Sequence, residues 1–302
     1  MVEFRTAAIV LVVLVVLGGL LIAKPNILSP QEDIAGKAAA AVSGGNAAVA
    51  IPSHAVEISP GVFFLGTVNK NGKMLEGYAF VDYKRGFGKP GGCNYDGKCN
   101  GWEDASCSDC TGASATIQCY SYLANGARWK NTEGYLLNPS NDYGLSANLI
   151  GTTFDQSISK WENASAKDIV GIGTATTNPL SADLVSTDGQ NEVYFGNITD
   201  RNAIAITVVW GVFRGPPSQR ELVEWDMIFD QADFSWSTSG ESGKMDFEDI
   251  ATHELGHVVG MDDLYESSCG EETMYGYADL GETKKRTLEA GDIAGVKALY
   301  GS

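Results

Sequence analysis

Histidine is scarce in this chain: three residues among 302, at positions 54, 253 and 257. That rules out any site needing many imidazoles and draws attention to the two that stand close together. Basic residues are also few, 21 against 38 acidic ones, for a formal charge of -17. Such a surface repels phosphate backbones, so nucleic acid is excluded as a partner and the excess is read as a solvated acidic face. Cysteine is missing from most of the chain, yet five of the six crowd together as Cys93, Cys99, Cys107, Cys110 and Cys119, leaving Cys269 alone. What is plentiful is apolar material, 44% of residues with 10% aromatic, enough to build a buried core.

The uncharged apolar run Thr6–Ala23 follows a short start containing Arg5. It exceeds the roughly 7–15 residues of a signal-peptide core and just reaches the roughly 17–25 of a spanning helix, so we read 1–25 as a signal or membrane anchor. The positive flank keeps Arg5 inside and sends the rest of the chain out of the cell, either tethered to the extracellular face of the membrane or secreted. An even cysteine count suits that oxidising side. The sequons at Asn163 and Asn197 are compatible with it.

Residues 26–56, rich in alanine and glycine, read as a linker. Residues 57–90 read as a small β-hairpin unit turning at Asn69–Gly72, because Asn-Gly is a strong hairpin signal. This unit is a candidate pro-region. Residues 91–120 form a Cys-rich segment expected to be held by disulfides; its Cys107-x-x-Cys110 lacks a matching second pair for zinc. Its carboxylates do not match the spacing of an EF-hand calcium loop. From 121 to 302 the texture is α+β. Strands are expected over 127–137, 169–174, 192–197, 203–213 and 224–234, with an amphipathic helix over 146–163 carrying Leu149, Ile150, Phe154, Ile158 and Trp161. A sheet covered by a long helix is the natural arrangement.

The stretch THELGHVVGMDD, Thr252–Asp263, sets His253 and His257 four positions apart. On a helix N-capped by Asp246 both imidazoles share one face and can converge on a cation, while Glu254, about 100° round, could take a proton from an attacking water and pass it to a leaving amine. Gly260 can end the helix in a left-handed turn that returns the chain, bringing Asp263 to the same point. A catalytic zinc needs three protein ligands and an open position, and His54 lies in the linker, so Asp263 is the local candidate for the third. Its neighbour Asp262 has the wrong spacing.

These residues, His253-Glu-Leu-Gly-His257-Val-Val-Gly260-Met-Asp-Asp263, resemble the extended zinc signature of the metzincin peptidases, with Asp where most members have His. Glu272-Thr-Met274-Tyr-Gly276 is similar to the methionine turn of that clan, and Thr287–Gly301 to the closing helix of its matrixin family. The resemblance spans residues 121–302. It implies a metzincin-type catalytic domain with a twisted, mostly parallel sheet, long helices and zinc in a cleft. It also implies zinc-dependent hydrolysis of internal peptide bonds in extracellular proteins or peptides, by a monomer. Substrate would then pair with an edge strand, placed within 203–213. The histidine-bound structural zinc of animal matrixins is excluded by composition; structural calcium is left open without a located site.

Many matrixins are held latent by a pro-region thiolate, but the Pro-Arg-Cys-Gly switch is absent here. Five clustered cysteines cannot pair completely among themselves. The leading expectation is a disulfide from the cluster to Cys269, bracing the loop below the metal; a free thiol acting as a switch is the rival. A reading from another class is a Cys-rich binding or adhesion module carrying an inactive zinc domain, against which the intact Glu254 argues. Because Asp263 adds negative charge beside the metal, the attacking water should be less acidic than with a third histidine. Replacing it, Asp263→His, should therefore lower the pH optimum of peptide hydrolysis; a profile that stays put or moves upward would refute this.

Overall fold

A computed structural model of the chain describes residues 48–87 and 118–301, all within one compact unit, Ser43–Ser302. The apolar run at 6–23 and four of the cysteines lie outside the described residues. Among those described, no helix is long and apolar enough to cross a membrane.

The Asn-Gly turn forms as expected. Asn71 and Gly72 both take positive φ, 53° and 80°, the geometry that lets a two-residue turn match strand twist. It joins β2 (Val62–Lys70) to β3 (Lys73–Lys84), with β1 (Val56–Ser59) antiparallel to β2. After β4 (Glu133–Asn138), Ser146 caps α1 (Ala147–Ser165) by accepting from the Leu149 amide. Ile150, Phe154, Ile158 and Trp161 are buried along one face of α1, whereas Leu149 is exposed. There follow β5 (Val170–Ala175), β6 (Glu192–Gly196), β7 (Ala203–Val212) and β8 (Glu221–Asp230). Short β9 (Trp236–Ser237) and β10 (Met245–Asp246) pair in parallel before α2 (Phe247–Val258). The chain closes with β11 (Tyr277–Ala278) and α3 (Ala290–Tyr300).

The α+β class holds, and the sheet is mixed. Its order is β1-β2-β3-β7-β8-β6-β4-β5, with β11 added beside β3. The half containing β8, β6, β4 and β5 is parallel, and the half from β8 back to β1 is antiparallel. Three expectations change. The strand anticipated over 127–137 starts only at Glu133, because 127–132 docks by side chains: the Trp129 indole donates to the Val258 carbonyl at 2.8 Å. The hairpin is not a unit of its own, since β3 pairs with β7 from Glu76↔Gly211 to Tyr83↔Ala203. β7 is therefore no edge strand. It lies between β3 and β8 and is buried on both faces, which is what its run AIAITVVW, apolar but for Thr207, requires.

One core packs the sheet against α1 and α2 through Phe154, Trp161, Trp225, Phe229 and Phe247, and a second, with Leu65, Val81, Ile206 and Trp210, covers the opposite face. Cys119 bonds to Cys269, the cluster-to-Cys269 link expected from cysteine parity; no free cysteine occurs among the described residues. This ties the entry of the 121–302 region to the loop after α2. Because it joins residues 150 positions apart, it restricts the unfolded chain strongly, on the order of 3–5 kcal/mol. The double variant Cys119→Ser/Cys269→Ser should accordingly melt at a lower temperature in non-reducing thermal unfolding; an unchanged Tm would contradict the estimate.

Candidate metal centre

α2 carries the first two candidate ligands. Asp246 caps it, one carboxylate oxygen accepting from the Asp249 amide at 3.1 Å while Arg286 donates to both oxygens from Nε and Nη2 at 2.7 and 2.6 Å. Charge-assisted bonds of this kind are strong and directional, so the start of the helix is fixed from outside. Two turns on, His253 and His257 project from one face, and both are buried to within 1%.

Each imidazole has its far nitrogen occupied. His253 Nδ1 lies 2.7 Å from the Thr273 carbonyl and His257 Nδ1 lies 3.2 Å from the Met261 carbonyl. A carbonyl only accepts, so a proton on each Nδ1 satisfies these contacts and leaves an Nε2 lone pair facing inward, the tautomer a metal ligand needs, although Lys285 Nζ also lies 3.3 Å from His253 Nδ1. The chain then reverses at Gly260, φ +100°, where an added Cβ would sit 2.8 Å from the Ala127 carbonyl oxygen. Only glycine fits there. This reversal returns Asp263 to the two rings, its Oδ1 lying 3.3 Å from His253 Nε2 and 3.6 Å from His257 Nε2. Ligands about 2.0–2.1 Å from a tetrahedral zinc are separated by about 3.3–3.4 Å, so the spacing fits a cation between them. His253 Nε2 and Asp263 Oδ1 are buried without a hydrogen-bond partner, as donors awaiting a cation would be. Asp262 turns away, accepting from the Asp263 amide, and His54 is remote, bonded to the Leu65 carbonyl.

Glu254 is fully buried beside the cluster. Thr207 Oγ1 on β7 donates to its Oε2 at 2.5 Å, and Oε1 has no partner. Burial first, then the nearby Asp82 charge, raise this carboxyl well above the ordinary glutamate range. Burial, and then the Lys285 ammonium 3.3 Å from His253 Nδ1, lower His253 to about 4. His257 falls to about 4 chiefly by burial. Neutral imidazoles are thus available to a metal across the physiological range.

Beneath the rings lies the methionine turn. A Cβ on Gly256 would fall 2.0 Å from Met274 Sδ, so the glycine lets that side chain press against α2. Asp292 on α3 accepts from the Thr273 and Met274 amides at 2.7 and 3.1 Å, which fixes the carbonyl holding His253. Asp292, Thr207 and Lys285 were not singled out from sequence; each is an ordinary polar residue far along the chain from the histidines, and only packing brings it in. A separate group of carboxylates, Asp183, Glu224 and Asp226, also converges. Its oxygens already accept from the Asp183, Gly189 and Glu192 amides and from Lys70, so it gives structural calcium no support.

Two imidazoles and a carboxylate meet at one point, beside a buried glutamate and above the turn at Met274, an arrangement that could hold a metal ion. Residues 214–301 match the matrixin family model, Peptidase_M10. The chain is 24% identical over 186 residues to Metalloendoproteinase 1-MMP of Arabidopsis thaliana, covering 60% of this chain and 47% of that protein. It is 38% identical over 76 residues to Matrilysin of Rattus norvegicus, covering 25% and 27% of the two chains. Among solved structures, metalloproteinase-II from Bacteroides fragilis aligns over 82% of this chain and 78% of its own, at 12% identity and a TM-score of 0.32. Residues 214–301 are thus similar to the matrixins, and the chain spans less than half the length of the plant relative it matches.

The buried charges bear on stability. Mainly through burial, Glu192, Asp249, Asp262 and Glu272 are raised to about 7 and Glu224 to about 8. A carboxyl raised above its unfolded value stabilises the fold at low pH and loses that contribution as pH rises through the folded value. The lowered histidines act oppositely, but only below about 6.5, their unfolded value. Metal-free protein should therefore show a Tm that falls from pH 6.5 to pH 9; a flat or rising Tm would mean these groups are already ionised in the fold.

Proposed function

We propose that this chain is a zinc-dependent endopeptidase that hydrolyses internal peptide bonds of extracellular proteins or peptides, with His253, His257 and Asp263 holding the metal and Glu254 as general base. The observation that carries this is the convergence of the two Nε2 atoms and Asp263 Oδ1 within 3.3–3.6 Å next to the unpartnered oxygen of Glu254. When bound, zinc would polarise the scissile carbonyl and acidify the attacking water. Glu254 accepts the proton of that water and delivers it to the leaving nitrogen. Thr207 is a positioning residue, keeping one carboxylate oxygen occupied so that the other is presented to the reaction.

The disulfide between Cys119 and Cys269 supports work on the oxidising side of the membrane. We place the chain there as a monomer, attached through the apolar run at 6–23 or released from it. The test is a peptide library incubated with zinc-loaded protein, full-length and after limited tryptic nicking, with mass spectrometry of products and enzyme and zinc counted by elemental analysis. Glu254→Gln should keep its zinc and lose at least about 10²-fold in cleavage. If parent and variant both hold zinc and neither cleaves in either form, the enzymatic reading fails.

A further inference from the structure

A histidine offers a metal one lone pair at a time, whereas a carboxylate offers two oxygens. At Asp263 those two oxygens have different surroundings. Oδ1 lies 3.3 Å from His253 Nε2 and 3.6 Å from His257 Nε2 and has no hydrogen-bond partner. Oδ2 instead has the Tyr265 hydroxyl 3.3 Å away, which donates to it. The difference bears on function, because a carboxylate can ligate through one oxygen or through both. Ligation through both would fill the position that a catalytic zinc must keep open.

Tyr265 is held in place by backbone, ring and hydroxyl together. Its neighbour Leu264 donates to the Met274 carbonyl at 2.9 Å and accepts from the Gly276 amide at 2.8 Å, which laces the ligand-bearing segment to the turn at Met274. The Tyr265 ring packs over Gly276, where an added Cβ would sit 2.6 Å from ring carbons. It also meets the Tyr277 ring edge-on, centroids 5.2 Å apart and planes inclined by 68°. The hydroxyl donates as well to the Pro60 carbonyl, at 2.9 Å. One proton thus serves two acceptors, and the carbonyl keeps the hydroxyl stationed beside Oδ2.

We propose that Tyr265 is a positioning residue for the third metal ligand: its hydroxyl engages Oδ2 of Asp263, so that Oδ1 alone meets the cation and one position stays open for water. This rests on the zinc-peptidase reading above. The hydroxyl does for Asp263 what the Thr273 and Met261 carbonyls do for His253 and His257, occupying the atom of each ligand that does not face the cation. A histidine at position 263 would have no second oxygen to restrain. The need for Tyr265 therefore follows from the carboxylate itself.

The test is a double-mutant cycle on the full chain loaded with cobalt(II), with visible absorption as the readout. In Tyr265→Phe the cobalt bands should lose intensity relative to wild type, because a second carboxylate oxygen reaching the ion raises its coordination number. Peptide cleavage should fall with them, by at least about tenfold. In an Asp263→His background, which has no second oxygen, adding Tyr265→Phe should leave the bands unchanged; this separates the contact with Asp263 from the loss of the bond to Pro60. Tyr265→Phe bands that superimpose on wild type, or an equal loss of intensity in both backgrounds, overturn the proposal. Should a variant fail to fold or to take up metal, the infrared difference spectrum of the wild type on zinc uptake decides it. The carboxylate stretches must show the wide separation of one-oxygen ligation, and the narrow separation of two-oxygen ligation overturns the proposal. Failure is distinguishable from failure of the underlying reading: a wild-type chain that takes up no cobalt removes both, whereas superimposed bands remove only the role of Tyr265.

Discussion

One electrostatic constraint dominates this fold: three carboxylates, Asp82, Glu254 and Asp263, and two imidazoles are buried close together. Unbalanced charge of that density is unfavourable in a low-dielectric interior. A cation between His253, His257 and Asp263 would satisfy the unpartnered Nε2 of His253 and Oδ1 of Asp263 together. Lys285, itself fully buried, adds a fixed positive charge behind His253.

The surroundings are built to hold those groups still. Arg286 clamps the cap of α2 through Asp246, Asp292 clamps the methionine turn through two amides, and the turn's Thr273 carbonyl sets the tautomer of His253. The disulfide from Cys119 to Cys269 fastens the loop that connects these parts. Arg286 and Asp292, like Met274, follow the histidines in sequence, so the last part of the chain is what locks the ligands carried by α2. The region matching the matrixin family, residues 214–301, contains all of them. Thr207 and Asp82 lie upstream of it, on β7 and β3, and come to the centre only through the sheet.

Much of this was legible in the sequence, and the limits are physical. Short-range periodicity carries α1 and α2, because one apolar face repeating along a helix is a local property. Asn71-Gly72 carries the hairpin turn and Gly260 the reversal, because positive φ demands particular residues. Expectation and structure part company at β7, read as an edge strand and found between β3 and β8. Its pairing with β8 is local, but β3 reaches it from more than a hundred positions away, which no local pattern encodes.

The sequence by itself therefore determined the candidate site: two histidines and a glutamate on one helical face and a carboxylate after a glycine. Helical spacing and residue chemistry suffice for that. Tertiary structure alone decided who else meets that site. Asp82 looks like any polar residue in a strand until β3 inserts between β7 and β11, and only there does an alternating side chain become a buried, unpartnered carboxyl close to His253 and Glu254.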